Sequence, residues 1–270
     1  MRYRLPRGKF YGQPLLRKDI AGLTLTETFY SPELIIDEHC HQSAFFCLIL
    51  KGTYTEVYEN RIRECKPLSL FFHPANEVHS NRIHKGGSRE FQIEFGPDWA
   101  NRIPDSTVLD QAAEFNNDQL PLVAMRLYRE FHLADDISNL AVEALMLELM
   151  VLTFRSQRNR EVNGKPDWLL RTEKSIHEHF TERLSVNDLA GHVHVHPAHL
   201  SVEFRKYHRC SIGDYIRDLR IKRACQQLVN SNQSLSEMAL DSGFYDQSHF
   251  SRTFKQVIGM TPAQYRRQAP

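Results

Sequence analysis

Up to about residue 95 this chain runs in short apolar stretches, the last of them alternating Phe91, Ile93 and Phe95 with Gln92 and Glu94, and from about residue 120 its apolar residues recur at every third or fourth position. Alternation buries one face of a strand, and a 3.6-residue repeat buries one stripe of a helix. The chain is therefore confined to a sheet-forming part followed by a helix-forming part. In the first part, runs rich in Phe, Tyr, Leu, Ile and Thr cover Leu23–Tyr30, Ala44–Leu50, Tyr54–Tyr58, Leu68–His73 and Phe91–Phe95, punctuated by Gly52, Pro67, Pro74 and Gly86-Gly87. Short strands at this spacing predict a sandwich or barrel.

In the second part, the repeat predicts helices over Leu122–His132 and Ser138–Arg155. The latter aligns Leu140, Ala144, Leu147 and Val151 on one stripe, widened by Leu145, Leu149 and Leu152. A stripe this wide buries on more than one side, against the chain's own core or against a second copy. Asn159–Pro166 (NREVNGKP) is polar, carries Gly and Pro, and reads as a linker. The expected organisation is a two-domain α+β chain: a barrel over 1–118, a helical dimerisation and coupling segment over 119–158, a linker over 159–166 and an all-α domain over 167–270.

Composition narrows the function classes. Hydrophobic residues at 41% and charged residues at 25% fit an ordinary globular protein and exclude collagen and low-complexity disorder. Five cysteines with no CxxC pair exclude a disulfide scaffold or a zinc ribbon. No apolar core follows the basic start, and Glu143 and Glu148 interrupt the apolar run Leu140–Phe154. The expectation is a cytoplasmic protein with reduced thiols and no membrane span. The net charge of +1 hides an asymmetry: 1–166 carry 20 basic and 22 acidic residues (−2), and 167–270 carry 14 and 11 (+3).

The helical domain repeats one plan. Helix Val186–His192 leads through a short turn to helix Pro197–His208, and helix Leu235–Asp241 leads through Ser242-Gly243-Phe244-Tyr245 to helix Gln247–Val257. Leu189-Ala190 corresponds to Met238-Ala239, and Leu200…Phe204 to Phe250…Phe254. The small alanines allow close helix approach, and Gly243 supplies the positive φ of a tight turn. Capping pairs Ser185/Asp188, Ser211/Asp214, Ser234/Glu237 and Thr261/Gln264 mark helix starts. Pro197 and Pro262 sit where a first helical residue is expected. The pattern is a duplicated helix-turn-helix, about 184–208 and 235–257, with second helices able to enter major grooves.

The segments Ala239–Lys255 (ALDSGFYDQSHFSRTFK) and Gly259–Arg267 (GMTPAQYRR) closely resemble the AraC/XylS family of transcriptional regulators, over about Trp168 to Arg267. The resemblance implies two helix-turn-helix units on one face of double-stranded promoter DNA, joined by the long helix Gly213–Val229. The units would enter successive major grooves about 34 Å apart. Base edges would be faced by Gln247, Ser248 and Arg252 in the second unit and by Ala198, Ser201 and Val202 in the first. Gln reads adenine and Arg reads guanine, and small or apolar side chains suit the thymine methyl. Arg205, Lys206 and Lys255 are placed for phosphates. His192, His194, His196 and His199 crowd the first unit, where phosphate, solvent or a metal are the open readings.

His39-Cys-His41 precedes the strand Ala44–Leu50, and Pro74-Ala-Asn-Glu-Val-His79 follows the strand Leu68–His73, with Gly52 between. This order, over about Gly22 to Phe95, resembles the cupin fold, a small jelly-roll barrel common as the sensor half of the same family. The resemblance places His39, His41 and His79 at three metal-binding positions, but Phe45 stands where the glutamate is expected. A three-histidine set suits zinc, iron(II), nickel or copper. Two readings stay open: a divalent metal at His39, His41 and His79, or histidines that line a pocket and satisfy loops. Cys40 and Cys47 are near enough to add soft ligands, although Cys40 should point away on a strand. If Phe45, Tyr54 and Phe71 line a cavity, a small aromatic or apolar effector fits.

Together these features predict a one-component, sequence-specific DNA-binding regulator, an activator controlled by a small effector or metal in the barrel. The expected partners are RNA polymerase and a second copy of the chain, and no enzymatic activity is expected. The alternatives are a metal-dependent cupin enzyme with a helical appendage and a regulator controlled by a protein partner.

Overall fold

The period-2 runs fold as strands of one curled sheet. The computed structural model describes residues 3–59, 61–100, 102, 110–115, 119–133, 135–162, 165–208 and 210–268. They fall into two units, Met1–Phe154 and Arg155–Pro270. In the first unit the strands are β1 (Tyr3–Leu5), β2 (Gln13–Ile20), β3 (Leu23–Tyr30), β4 (Ile35–His41), β5 (Phe45–Tyr58), β6 (Arg61–Cys65), β7 (Leu70–His73), β8 (His79–Phe95) and β9 (Ala113–Phe115). The sheet order is β1-β4-β8-β5-β7-β9, with β2 on β3, β3 on β8 and β6 on β5. Two long strands make it curl. Along one edge β8 pairs β4 with its first half and β3 with its second, and along the other it pairs β5. β5 in turn pairs β7 and then β6.

The runs Ala44–Leu50 and Tyr54–Tyr58 are therefore one strand, and Gly86-Gly87 lie inside another. Gly52 (φ 75°) and Gly87 (φ 69°) face each other so closely that a Cβ on Gly52 would sit 1.9 Å from the Gly87 carbonyl oxygen. Without side chains the ladder continues through this point as a bulge, and the register shifts at Ile49/Lys51 and Gly52/Tyr54. Phe45, Cys47, Ile49, Tyr54, Cys65 and Phe71 fill the inner face. Phe46 faces the other way and meets Phe72, Phe95 and Phe115 ring to ring.

A short helix α1 (Pro97–Ala100) follows, then α2 (Leu120–Leu133) and α3 (Ser138–Val162). α3 runs through Arg155 to Val162, so 159–162 are helical and not linker. Gln, Arg and Glu are strong helix formers and nothing before Gly164 stops them; 163–164 lie outside the described residues. The apolar faces of α3 separate: Val142, Leu145, Met146 and Leu149 are buried, whereas Leu140 (71%), Leu147 (46%) and Val151 (44%) are exposed. α2 is fastened to the sheet by Glu27 of β3, a buried carboxylate that accepts from Tyr128 Oη at 2.9 Å and meets His132 Nε2 at 3.0 Å, with Arg89 of β8 completing the set.

In the second unit seven helices occur among the described residues: α4 (Asp167–His179), α5 (Val186–Val193), α6 (Pro197–His208), α7 (Ile212–Asn230), α8 (Leu235–Asp241), α9 (Gln247–Ile258) and α10 (Pro262–Gln268). Ser185, Ser211 and Ser234 each accept the N–H three residues on, and Ser211/Asp214 and Ser234/Glu237 close full capping boxes. Thr261 and Gln264 exchange the same pair of bonds, and Pro262 opens α10. One core gathers Leu169, Ile176, Leu189, Ala190, Leu200, Phe204 and Ile216. A second packs Phe250 against Phe254 and Phe254 against Tyr265, both edge to face.

Burial alone would raise the Glu27 pKa, but hydrogen bonds from His132, Arg89 and Tyr128 outweigh it and hold the carboxyl below its usual 4.5. Its contribution to stability is therefore complete above about pH 4.5 and is lost as pH falls through the lowered value. Glu27→Ala leaves Arg89 without its partner and should cost about 3–5 kcal/mol in urea unfolding of the chain near neutral pH. The cost should shrink on acidification.

Candidate functional site

Both helix-turn-helix turns pass through one left-handed residue at corresponding positions, His194 (φ 57°) and Gly243 (φ 85°). Gly243 is required twice over, because a Cβ there would lie 2.5 Å from the Thr181 carbonyl oxygen. Each second helix is capped by a side chain not anticipated from the sequence. Asp246 Oδ1 accepts the His249 N–H at 2.7 Å, and His196 Nδ1 accepts the Ala198 N–H at 3.2 Å. The rule that found the serine caps, an acceptor just before an apolar-periodic run, would also have found Asp246.

The nine residues expected at DNA are all exposed on α6 and α9. Ala198, Ser201, Val202, Arg205 and Lys206 lie on α6, and Gln247, Ser248, Arg252 and Lys255 on α9, opposite the buried Leu200, Phe204, Phe250 and Phe254. Ser201 Oγ donates to the Pro197 carbonyl at 2.9 Å and Lys206 lies 3.4 Å from Glu203. His196 serves as a cap and His194 takes the turn conformation, while His192 and His199 are exposed beside them. α7 joins the two units. Its 19 residues span about 28 Å. Arg220 donates to the carbonyls of Phe180 and Glu182, both at 2.7 Å, and Arg223 donates to that of Asp241 at 3.1 Å.

In the barrel, β4 and β8 pair His39 with His79, and His41 follows on the same face of β4. Ring nitrogens of His39, His41 and His79 lie within 4.8 Å of one another. His39 Nδ1 donates to the Asp37 carbonyl at 2.9 Å and His79 Nδ1 to the Glu77 carbonyl at 3.3 Å, which leaves each Nε2 as a lone pair. His41 Nδ1 is buried without a partner. Burial, with the neighbouring histidines, pushes His39 down to about 4, His41 to about 2 and His79 to about 3, so all three are neutral near pH 7. Neutral, oriented imidazoles fit a divalent metal of the zinc type.

A second group, Glu56, His73 and His79, has ligand atoms equally close. Spacing could not place it, because the register shift between Ile49 and Lys51 reverses the inward–outward alternation of β5 and turns Glu56 inward with Phe45 and Cys47. Glu56 is ion-paired with Arg63, whose Nη2 also lies 3.3 Å from His73 Nε2, and His73 Nδ1 meets Glu77 at 2.9 Å. Phe45, at the position of the missing carboxylate, stacks on His73 at 4.5 Å. The cavity is only about 30 Å³ and is lined by His39, His41, His79, Phe45, Tyr54 and Glu56, among others. That is room for an ion or a water. Phe71 does not line it and instead lies under the Arg63 guanidinium at 4.2 Å. Cys47 lines the cavity and is bonded to Glu90, while Cys40 is buried away from it.

Residues 27–150 match an AraC-like ligand-binding domain and residues 189–268 match a helix-turn-helix domain. The chain is similar to an uncharacterized HTH-type transcriptional regulator of Staphylococcus aureus, 24% identical over 234 residues, covering 82% of this chain and 31% of that protein. It is also similar to the uncharacterized HTH-type transcriptional regulator YobQ of Bacillus subtilis, 40% identical over 91 residues, covering 34% of this chain and 38% of that protein. The chain thus spans about a third of the length of these relatives. Among solved structures, ToxT from Vibrio cholerae aligns with 92% of this chain and 98% of its own at 14% identity and a TM-score of 0.39. An AraC-type transcriptional regulator from Chromobacterium violaceum aligns with 38% of this chain and 91% of its own at 29% identity and a TM-score of 0.36.

Asp246→Ala removes the α9 cap and should cost about 1 kcal/mol of stability. Gly243→Ala meets both positive φ and the Thr181 backbone, so it should cost more than the cap. Thermal unfolding followed by circular dichroism ranks the two, and equal losses would discount the close approach at Thr181.

Proposed function

Since the chain belongs to the AraC/XylS family of transcriptional regulators, we propose that it is a one-component activator controlled by a divalent transition-metal ion in its barrel. Two exposed recognition helices, capped at their starts and joined by one 19-residue helix, carry the DNA part of this reading. Gln247 reads adenine and Arg252 reads guanine in one major groove, with Ser248 beside them. Ala198, Ser201 and the 64%-exposed Val202 meet the adjacent groove, where a valine suits thymine methyls. Arg205, Lys206 and Lys255 bind phosphates and set the register.

The neutral histidine ring and the cavity of about 30 Å³ support an ion over an organic effector. An ion that binds one arrangement of the chain better than another shifts the population between them, and so changes promoter occupancy and contact with RNA polymerase. The exposed positions Leu140, Ala144, Leu147 and Val151 follow the 4-3-4 spacing of a coiled-coil seam and support a homodimer. Among the described residues no helix is long and apolar enough to cross a membrane, and promoter binding goes with a cytoplasmic location.

Genome-wide footprinting supplies the sites, and fluorescence anisotropy on them tests the residues. Arg252→Ala should cost about 1–3 kcal/mol at its own base pair and relax preference there. Lys255→Ala should weaken all sequences alike and lower the salt slope by about 1. Unchanged binding by both variants would sink the placement of α9. Leu147→Glu, in sedimentation velocity, should convert the dimer to a monomer; a monomeric wild type would remove the seam from the proposal.

A further inference from the structure

We propose that Glu56 and His73 complete the barrel's metal seat in place of the carboxylate missing at Phe45, and that the Arg63 guanidinium is the cation an incoming ion displaces. This rests on the metal reading above and assigns ligands that the family pattern does not. Three neutral histidines bring no charge to balance a buried dication, and Phe45 brings none. Two acidic side chains line the cavity, Glu56 and Glu90. Glu90 is engaged by Cys47 Sγ at 3.3 Å, Ser88 Oγ at 3.0 Å and Gln92 Nε2 at 3.2 Å, whereas Glu56 accepts from Asn81 Nδ2 at 3.2 Å and pairs with Arg63, a cation that an incoming ion replaces charge for charge.

His79 belongs to both histidine groups and has one ring nitrogen committed to the Glu77 carbonyl. It can therefore ligate through Nε2 alone, so the two groups cannot each hold an ion at the same time. The Glu56–His73 pair already attracts positive charge. Arg63 is buried between Tyr58 and Phe71, 4.3 and 4.2 Å from their rings, with Nη2 toward His73 and Nη1 without a partner. An ion that takes Glu56 must break a buried ion pair, and Nη1 is the guanidinium nitrogen that this pair leaves unsatisfied.

Beside the cavity lies an open groove of about 440 Å³, lined by Glu38, Tyr58, Glu59, Glu77, His79 and Asp110 among others, with no Lys or Arg among the described residues. His79 lines both spaces. Glu77, with its side chain 5% exposed, turns an unpartnered Oε1 in this region. The groove offers an approach for a cation and an acidic surface that can receive the displaced guanidinium.

The test titrates the full chain with Zn(II) by calorimetry and with Co(II) by its visible absorption, alongside circular dichroism of every variant. Glu56→Gln and His73→Ala should each weaken affinity by at least about 10- to 100-fold, the loss seen when even a supporting partner is removed. Each should also alter the Co(II) spectrum. Arg63→Met should tighten binding, a sign that a purely structural arginine would not produce. Phe45→Glu in the Glu56→Gln background should recover affinity, and remains informative if Glu56→Gln alone folds poorly. Wild-type affinity and spectrum in Glu56→Gln and His73→Ala would overturn the assignment while leaving His39, His41 and His79 as a metal site. Arg63→Met binding no tighter than wild type would overturn the displacement. A wild-type chain that binds neither ion would overturn the metal reading itself.

Discussion

The close approach of Gly52 to Gly87 is the constraint on which the barrel depends. Here β5 and β8 cross with no room for a side chain, and the register of β5 shifts. The first of its shifts, between Ile49 and Lys51, keeps Phe45 and Cys47 on the inner face and brings Tyr54 and Glu56 onto it as well. Without it, strict alternation would place Glu56 on the face opposite Phe45. Arg63 would then lose its carboxylate partner. The irregular stretch from Ile49 to Tyr54 thus sets both the shape of the sheet and the charge of its interior.

The two units handle buried charge differently. The helical unit has largely apolar cores, with serine, threonine and aspartate caps at the helix starts and arginines reaching backbone carbonyls between helices. The barrel buries Glu27 with Arg89, Glu56 with Arg63, and Glu90 among Cys47, Ser88 and Gln92. Ion pairs of this kind contribute little net stability against well-packed apolar residues, because desolvation offsets most of the attraction. In the barrel they bring specific polar atoms together around a small cavity, and the stability comes from the aromatic layers on either side.

The helical unit was nearly legible in the sequence. α6 and α8 begin and end where the repeat and caps predicted, and the serine caps form because each depends on residues three apart. The barrel was legible in its strands and in His39, His41 and His79, whose spacing within and between β4 and β8 is short-range or follows a familiar order. Glu56, His73 and Arg63 were not. They meet across β5, β6 and β7 because β5 shifts its register between Ile49 and Lys51 against β8, a strand far from it in the chain. The expected aromatic pocket was wrong at Phe71, since a period-2 pattern tells the inner face from the outer but not the side chains that reach a cavity from those that support it.

Sequence alone determined that this chain has a β-rich part and a duplicated helix-turn-helix, because periodicity, caps and turn glycines act over a few residues. Tertiary structure alone decided which exposed stripe of α3 is left over, how small the barrel's cavity is, and that Glu56 and His73 line it with His39, His41 and His79. Those outcomes depend on which strands pair and in what register, and register is a property of contacts between segments far apart in the chain.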